Sequence, residues 1–473
     1  MASLAKDTLL HPDRLFPIDG KTRDFARELY RTVCDLPILS PHGHTDQEWF
    51  SQNASFTDPV SLLLTPDHYV LRMLYSRGHD LAKFGIFPPG KSDETFDPRK
   101  AWRIFADHFH LFRGTPTDLW MKHVFHQVFN LEAPLSGETS DRYFDQMVES
   151  LKSDQFKPRA LFDRFKIEVL ATTDAAIDTL EAHAKIKKDW GRRIIPTYRP
   201  DAAVDPEHES FFDSVAELGR LTNEDVSSFE GYLRAHRTRR IFFKSMGATA
   251  TDHGHPSTMT IDLTSAQAEK LFARILSRDF SAGDAETFRA HMLLRMAEMS
   301  LDDGLVMQLH PGSFRNHNPR LMEKFGRDKG ADIPVAVEYT RSLKALLDRF
   351  GNDSKLNLIL YTLDESTYTR ELAPLAGHYP ALTLGAPWWF HDSPEGMIRF
   401  RKSVTETAGF YNTAGFVDDT RAFFSIPARH DVSRRMDCRF LSELVGEHRI
   451  SEKDAFALIE DLSSGLTRKA YRL

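Results

Sequence analysis

The chain has very little cysteine. Cys34 and Cys438 are the only two in 473 residues. A disulfide framework or a cysteine-built zinc site needs more thiols, so neither is expected. Long apolar runs are missing as well. No stretch approaches bilayer-spanning length, and the opening Met-Ala-Ser-Leu-Ala-Lys-Asp-Thr-Leu-Leu-His-Pro lacks the apolar centre of a secretory signal. The expectation is a cytoplasmic protein with no membrane partner. Nor is there an excess of positive charge: 61 Lys and Arg stand against 68 Asp and Glu, for a net charge of −7. Phosphate-binding surfaces are basic, so nucleic acid is not an expected partner. Internal repeats and low-complexity tracts are absent. So are the Gly-x-Gly-x-x-Gly fingerprint, the Walker loop and the Gly-x-Ser-x-Gly elbow.

Hydrophobic residues are plentiful, at 41% of the chain. Short apolar runs rich in β-branched and aromatic residues recur at 36–40, 167–173, 193–198, 240–245, 305–310, 356–362, 381–385 and 414–418. Such runs suit strands buried on both faces of a parallel sheet. The stretches between most of them carry helical spacing, as in Met397, Phe400, Val404 and Ala408 within 396–409, and less regularly over 335–350. Eight strands joined by helical crossovers predict a distorted (β/α)8 TIM-like barrel, with 1–473 as a single α/β domain. The gap from 41 to 166 is far longer than one crossover helix needs. It predicts a mostly helical insertion over 50–165 on the catalytic face. Turn-rich stretches at 87–93 and 327–332 are linker candidates.

The residues that carry chemistry fall at the ends of these strands. His42-Gly43-His44 follows the first run. In extended chain, residues i and i+2 share a side, so both imidazoles can face one ion, with Gly43 letting the backbone pass close by. Two ordinary loop histidines are the competing reading. Asp418-Asp419-Thr420-Arg421 ends the last run. In a closed barrel that run lies beside the first, so a carboxylate there can complete the site; alternatively Asp and Thr simply cap a helix. His310 ends the fifth run, as a ligand, an acid–base group or a core histidine. Arg199, Arg315 and Arg421 follow three runs and suggest an anionic small-molecule substrate, because guanidinium pairs bidentately with carboxylate. Trp388-Trp389-Phe390 suits a sugar face or a dry pocket wall. Asp67-His68-Tyr69 within the insertion either starts a helix or brings a phenol over the pocket. Lys244 ends the fourth run, where some two-metal barrels place a carboxylated lysine. Thr362-Leu363-Asp364 stands where a second histidine cluster would be needed, so one metal is expected.

These motifs, in this order, resemble the uronate isomerase (glucuronate isomerase) family of the amidohydrolase superfamily. The resemblance runs nearly end to end, through His-Gly-His at 42–44, Asp-His-Tyr at 67–69 and Thr-Thr-Asp at 172–174. It continues through Tyr-Arg-Pro-Asp at 198–201, His-Pro-Gly to Arg-Asn-His-Asn at 310–318, Trp-Trp-Phe at 388–390 and Asp-Thr-Arg at 419–421. It implies a distorted barrel that interconverts D-glucuronate with D-fructuronate and D-galacturonate with D-tagaturonate through an enediol. It also implies His42, His44 and Asp419 as ligands of one divalent ion; histidine and carboxylate suit zinc, the expected ion, and also manganese, cobalt or iron. Arg199, Arg421, Tyr69, His310 and Trp388 match the substrate pocket, and a homo-oligomer is implied. Asp419, oriented by Arg421, is a candidate base, with Tyr69 as its partner. Ser40-Pro41 stand where the family often carries Asp-Tyr, and His253 in Thr-Asp-His-Gly-His matches a family segment without an assigned role. Two other functions fit the same residues: a metal-dependent amidohydrolase acting on an acidic small molecule, and a non-catalytic sugar-acid-binding barrel.

Overall fold

The computed structural model describes residues 9–473; the first eight residues of the opening segment lie outside it. Seven short parallel strands line up in chain order. They are β1 (Ile38–Ser40), β2 (Ile167–Ala171), β3 (Arg193–Ile195), β4 (Ala250–His253), β5 (Val306–Leu309), β6 (Leu358–Leu360) and β7 (Leu382–Leu384). β1, β2 and β3 pair in one ladder. The short continuations Asp174–Ala175 and Tyr198–Arg199 then carry β2 and β3 into a second ladder through β4, β5, β6 and β7. The eighth position is held by the segment after Thr413. Thr413 makes a single parallel bridge with Leu384, and the His44 N–H donates to the Thr420 carbonyl at 3.0 Å, closing the ring onto the chain that follows β1. The barrel is distorted because this eighth segment follows its neighbours without forming a full ladder. Apolar side chains pack both faces of the strands: Val306 and Ile359 belong to one cluster, Met307 and Leu358 to another, and all four are fully buried.

The fourth strand is not where the apolar run suggested. Residues 240–245 lie within a helix, Phe229–Ser245, and β4 begins at Ala250. A strand would put Ile241 and Phe243 on one face, whereas helical residues two apart point nearly opposite ways. Ile241 is 64% exposed and Phe243 is fully buried, which is the helical arrangement. Thr251, Asp252 and His253 make β4 too polar to stand out as an apolar run. Elsewhere the helix expected over 396–409 is Pro394–Ala408, with Ser393 capping its N-terminus through the Gly396 N–H. Over 335–350 only Lys344–Phe350 is helical. The start of that stretch extends a hairpin instead: Ser313–Phe314 pairs antiparallel with Ile333–Pro334, and the Val335 N–H donates to the Gly312 carbonyl at 2.9 Å.

Between β1 and β2 every described element is helical, from Gln47–Gln52 to Pro158–Arg164. These helices build their own apolar cluster around Trp102, Phe105, Phe125 and Tyr143. Asp67 caps the helix His68–Ser76 by accepting the Tyr69 and Val70 N–H groups, and this sets Tyr69 at the mouth of the barrel. Among the described residues no helix is long and apolar enough to cross a membrane. Cys34 and Cys438 are both free thiols.

The interior is rich in histidine. Burial pushes His42, His68, His123, His183, His291 and His391 down to about 4, and His236 and His253 to about 3. Burial raises three carboxyls, Asp67, Asp392 and Asp174, the last to about 7.

Two predictions follow from this packing. Phe243→Ala should cost about 3–5 kcal/mol in denaturant unfolding through the cavity it leaves, while Ile241→Ala should stay within about 0.5 kcal/mol. Equal losses would contradict the helix. The second concerns pH. An imidazole held neutral binds fewer protons folded than unfolded, where it titrates near 6.5. Stability therefore rises with pH between about 4 and about 6.5, and is lost as pH falls through that window. The three raised carboxyls act in the opposite sense, against eight histidines. Chelator-treated protein should thus lose thermal stability from pH 7 to pH 5; a flat or rising profile would refute this.

Candidate active site at the C-terminal mouth of the barrel

The C-terminal ends of the strands open into a cavity of about 1050 Å³. His42 and His44 lie just past β1 and face Asp419, which follows the eighth segment. His42 Nε2 is 3.5 Å and His44 Nε2 is 3.2 Å from Asp419 Oδ1. Asp418 turns away, accepting from His430 Nε2 at 3.0 Å. Of the two adjacent carboxylates, Asp419 is therefore the one that meets the histidines. A methyl at Gly43 would come no closer than 3.5 Å to other atoms, so this glycine is not required by crowding.

His310, past β5, stacks on His42 with ring centroids 4.6 Å apart and on Tyr361 at 3.9 Å. Its Nδ1–H donates to Asp252 Oδ1 at 2.6 Å, which turns Nε2 toward His42 and Asp419. His42, His310 and Asp419 each offer a ligand atom within 4.8 Å of the others. His44 stands beside this group rather than in it. The donor set suits a divalent ion. His310 Nε2 and Asp419 Oδ1 are buried without a hydrogen-bond partner in the protein, and a carboxylate holding the far nitrogen of a histidine is the usual support for a metal ligand. Burial keeps the His42 ring neutral, with its protonation pushed down to about 4. Burial would raise Asp419, but His42, His44 and His310 outweigh it and hold this carboxyl far below its ordinary range. Neutral imidazole and ionised carboxylate are the forms that bind metal.

Asp252 is the residue that the sequence reading missed. It lies on β4, fully buried, and joins His310 to Arg199, whose Nη1 is 3.1 Å from Asp252 Oδ2. Arg199 Nε also donates to Asp201 Oδ2 at 2.8 Å. Burial opposes the charge on both Arg199 and Asp252, but their pairing outweighs it, raising the guanidinium and lowering the carboxyl. The only sequence signal was Thr-Asp-His-Gly-His, which the misplaced fourth strand left without a position.

The other expected residues divide. Trp388 is buried with its ring edge-on to His310, centroids 4.7 Å apart. Tyr69 donates to Asp392 Oδ1 at 2.5 Å and accepts the Phe390 N–H at 2.7 Å. Burial and the nearby Asp392 raise the phenol well above its ordinary value, so it stays protonated. Arg429 completes this group, donating to Asp392 Oδ2 at 2.9 Å and lying over the Trp120 ring. Arg421 pairs with Asp328 rather than with Asp419, so it does not orient the carboxylate as expected. Arg315 pairs with Asp332 at 2.8 Å. Asp328 and Asp332 belong to the 327–332 stretch, which is a cavity wall and not a linker. Lys244 is at the end of a helix, where its ammonium meets the Asp303 carbonyl, and it is not among the cavity's lining residues.

Backbone strain gathers here. Trp389, Phe390 and Asp419 have φ of +22°, +69° and +37°. Side-chain-bearing residues rarely adopt such angles, at a cost of about 1–3 kcal/mol each.

The profile of the glucuronate isomerase family matches residues 20–469. A uronate isomerase of Sphingopyxis alaskensis is 60% identical over 469 residues, covering 98% of this chain and 99% of its own length. The crystal structure of a glucuronate isomerase from Caulobacter crescentus superposes with a TM-score of 0.97 at 56% identity, covering 98% of this chain and 97% of its own. That of a uronate isomerase from Thermotoga maritima gives 0.91 at 28% identity, over 98% and 99%. With a full-length family match and relatives this similar, the chain belongs to the glucuronate isomerase family.

Proposed function

We propose that the chain interconverts D-glucuronate with D-fructuronate, and D-galacturonate with D-tagaturonate, with zinc held by His42, His310 and Asp419 and flanked by His44. The observation that carries this reading is the convergence of that donor set with Arg199, Arg315 and Arg421 on the walls of one cavity. A hydrolase needs a polarised carbonyl and an attacking water. An aldose–ketose isomerase for an acidic sugar consumes no water and needs a base at C2, with a cation for the remote carboxylate.

Arg421 suits the substrate carboxylate. It is 40% exposed, and its present partner Asp328 is exposed to a similar degree, so an incoming carboxylate can replace that pairing with a bidentate one. Arg199, held by both Asp201 and Asp252, suits a sugar hydroxyl better than a second anion. A bound divalent ion would supply Lewis-acid polarisation of the carbonyl and adjacent hydroxyl oxygens. Asp419 has two oxygens and stays ionised, so one can belong to the donor set while the other removes the C2 proton and, after exchange with solvent, delivers a proton at C1. The hydroxyl proton leaves O2 as O1 gains one. Tyr69, kept protonated beside Asp392, is the group placed to hold or move it, while His310, fixed by Asp252, serves the donor set.

Zinc-loaded protein given D-glucuronate should yield the ketose by NMR, with solvent deuterium entering at C1 of the product. Asp419→Asn should lower kcat by about 10²–10⁴-fold, the usual contribution of a positioned acid–base group. Arg421→Ala should chiefly raise KM, by about 10–100-fold, as loss of one charged hydrogen-bonding partner predicts. Hydrolysis of an N-acylated amine with no ketose formed would overturn the reading.

A further inference from the structure

A second histidine pair with the same spacing ends β4. His253 and His255 flank Gly254, as His42 and His44 flank Gly43. The pair meets Asp201, which follows Tyr198–Arg199, and one ligand atom from each of the three lies within 4.8 Å of the others. His253 is fully buried and His255 is 5% exposed. His253 Nε2 lies 3.1 Å from Thr251 Oγ1, while His253 Nδ1 and His255 Nε2 are buried without a partner in the protein. Burial keeps both rings neutral. Two buried imidazole nitrogens thus sit beside an ionised carboxylate with nothing in the protein to satisfy them.

Asp201 retains capacity for a further contact. Its oxygens accept from Arg199 Nε at 2.8 Å and from the Gly254 N–H at 3.1 Å, whereas a carboxylate offers about four lone-pair sites. Gly254 is held to its identity by this packing. A Cβ there would lie 2.3 Å from Arg199 Nη2 and 2.8 Å from Asp201 Oδ2. The neighbouring Arg289 is engaged elsewhere, paired to Asp205 and Glu207 at 2.6 and 2.7 Å.

We propose that Asp201, His253 and His255 form a second divalent-cation site, of zinc-type nitrogen and oxygen ligands, separate from the His42 group and behind the Arg199 wall of the cavity. It has the two-imidazole, one-carboxylate composition that suits zinc and its first-row neighbours. An ion there ties the end of β4 to the chain that follows Arg199, and fixes Asp201, which in turn holds Arg199. Asp201 is then a positioning residue for the cavity.

The test is a zinc count. Full-length protein stripped with chelator is dialysed against buffered ZnCl2, and bound zinc per chain is measured by elemental analysis. Wild type should hold two equivalents. His255→Gln and His253→Gln should each hold one fewer than wild type, and His42→Gln combined with His255→Gln should hold none. Circular dichroism checks that each variant is folded; if His253→Gln is not, the more peripheral His255→Gln carries the comparison. A count that His255→Gln leaves unchanged overturns the proposal, whatever the wild-type total. A single wild-type equivalent that His255→Gln removes and His42→Gln leaves supports this site and sinks zinc at the His42 group.

Discussion

The site depends on one backbone hydrogen bond, from the His44 N–H to the Thr420 carbonyl. It closes the barrel at the position where no full ladder does so. His42 and His44 come from one end of the chain and Asp419 from the other, more than 370 residues apart in sequence. The seam is backed by Thr173 Oγ1, which donates to the Gly43 carbonyl at 2.9 Å, and by Arg434, which donates to the Leu36 carbonyl at 2.9 Å. Asp419 is also bent to a φ of +37° at the same place, so the seam holds a strained residue as well as a distant one. Close packing offsets such strain: Phe423 and Phe424 just beyond it are fully buried, and Thr420 Oγ1 accepts the Ala422 N–H at 3.0 Å.

Behind the seam, charge is arranged in a chain. Asp201, Arg199, Asp252 and His310 alternate in sign or hydrogen-bonding role, and each is too buried to stand alone. An isolated buried charge is costly, and pairing is what makes it tolerable. Asp252 does more than neutralise Arg199. An ionised carboxylate is acceptor-only, so it takes the proton-bearing Nδ1 of His310. The tautomer is thereby set, and the other nitrogen is left to face the donor set. The preparation of His310 as a ligand is therefore an electrostatic consequence of a residue on the neighbouring strand.

Much of this was legible in the sequence, for physical reasons that differ by residue. Strands buried on both faces leave dense apolar runs, so β1, β2, β3, β5, β6 and β7 could be located. His42, His44, Asp419 and His310 were marked by falling just after such runs. β4 was lost because it is polar on both faces: Asp252 pairs with His310 at the site, while Thr251 and His253 meet each other on the opposite face. The run at 240–245 replaced it because five apolar or aliphatic-stemmed neighbours look alike in a helix and a strand over six residues. Only burial separates Ile241 from Phe243. Pairings between polar side chains were not legible at all. Arg421 stands two residues from Asp419, yet it pairs with Asp328 across the cavity, and nothing in local spacing could choose between those partners.

The mouth of the barrel thus carries two kinds of cation with different freedom. Arg199 is locked between the half-buried Asp201 and the fully buried Asp252, which also holds His310. Moving it would strand charges in a low-dielectric interior, so it acts as fixed scaffolding. Arg315 and Arg421 pair with Asp332 and Asp328 on one turn-rich wall. Arg421 and Asp328 are both half-buried, so water screens and weakens their pair more than it does the fully buried ones. A pair that weak can be exchanged for a ligand carboxylate at little cost, whereas the buried pairs cannot. The same residue type therefore divides into scaffold and receptor by burial alone. That division is what allows a cavity lined with so many carboxylates to accept an anion without losing the geometry of the groups that act on it.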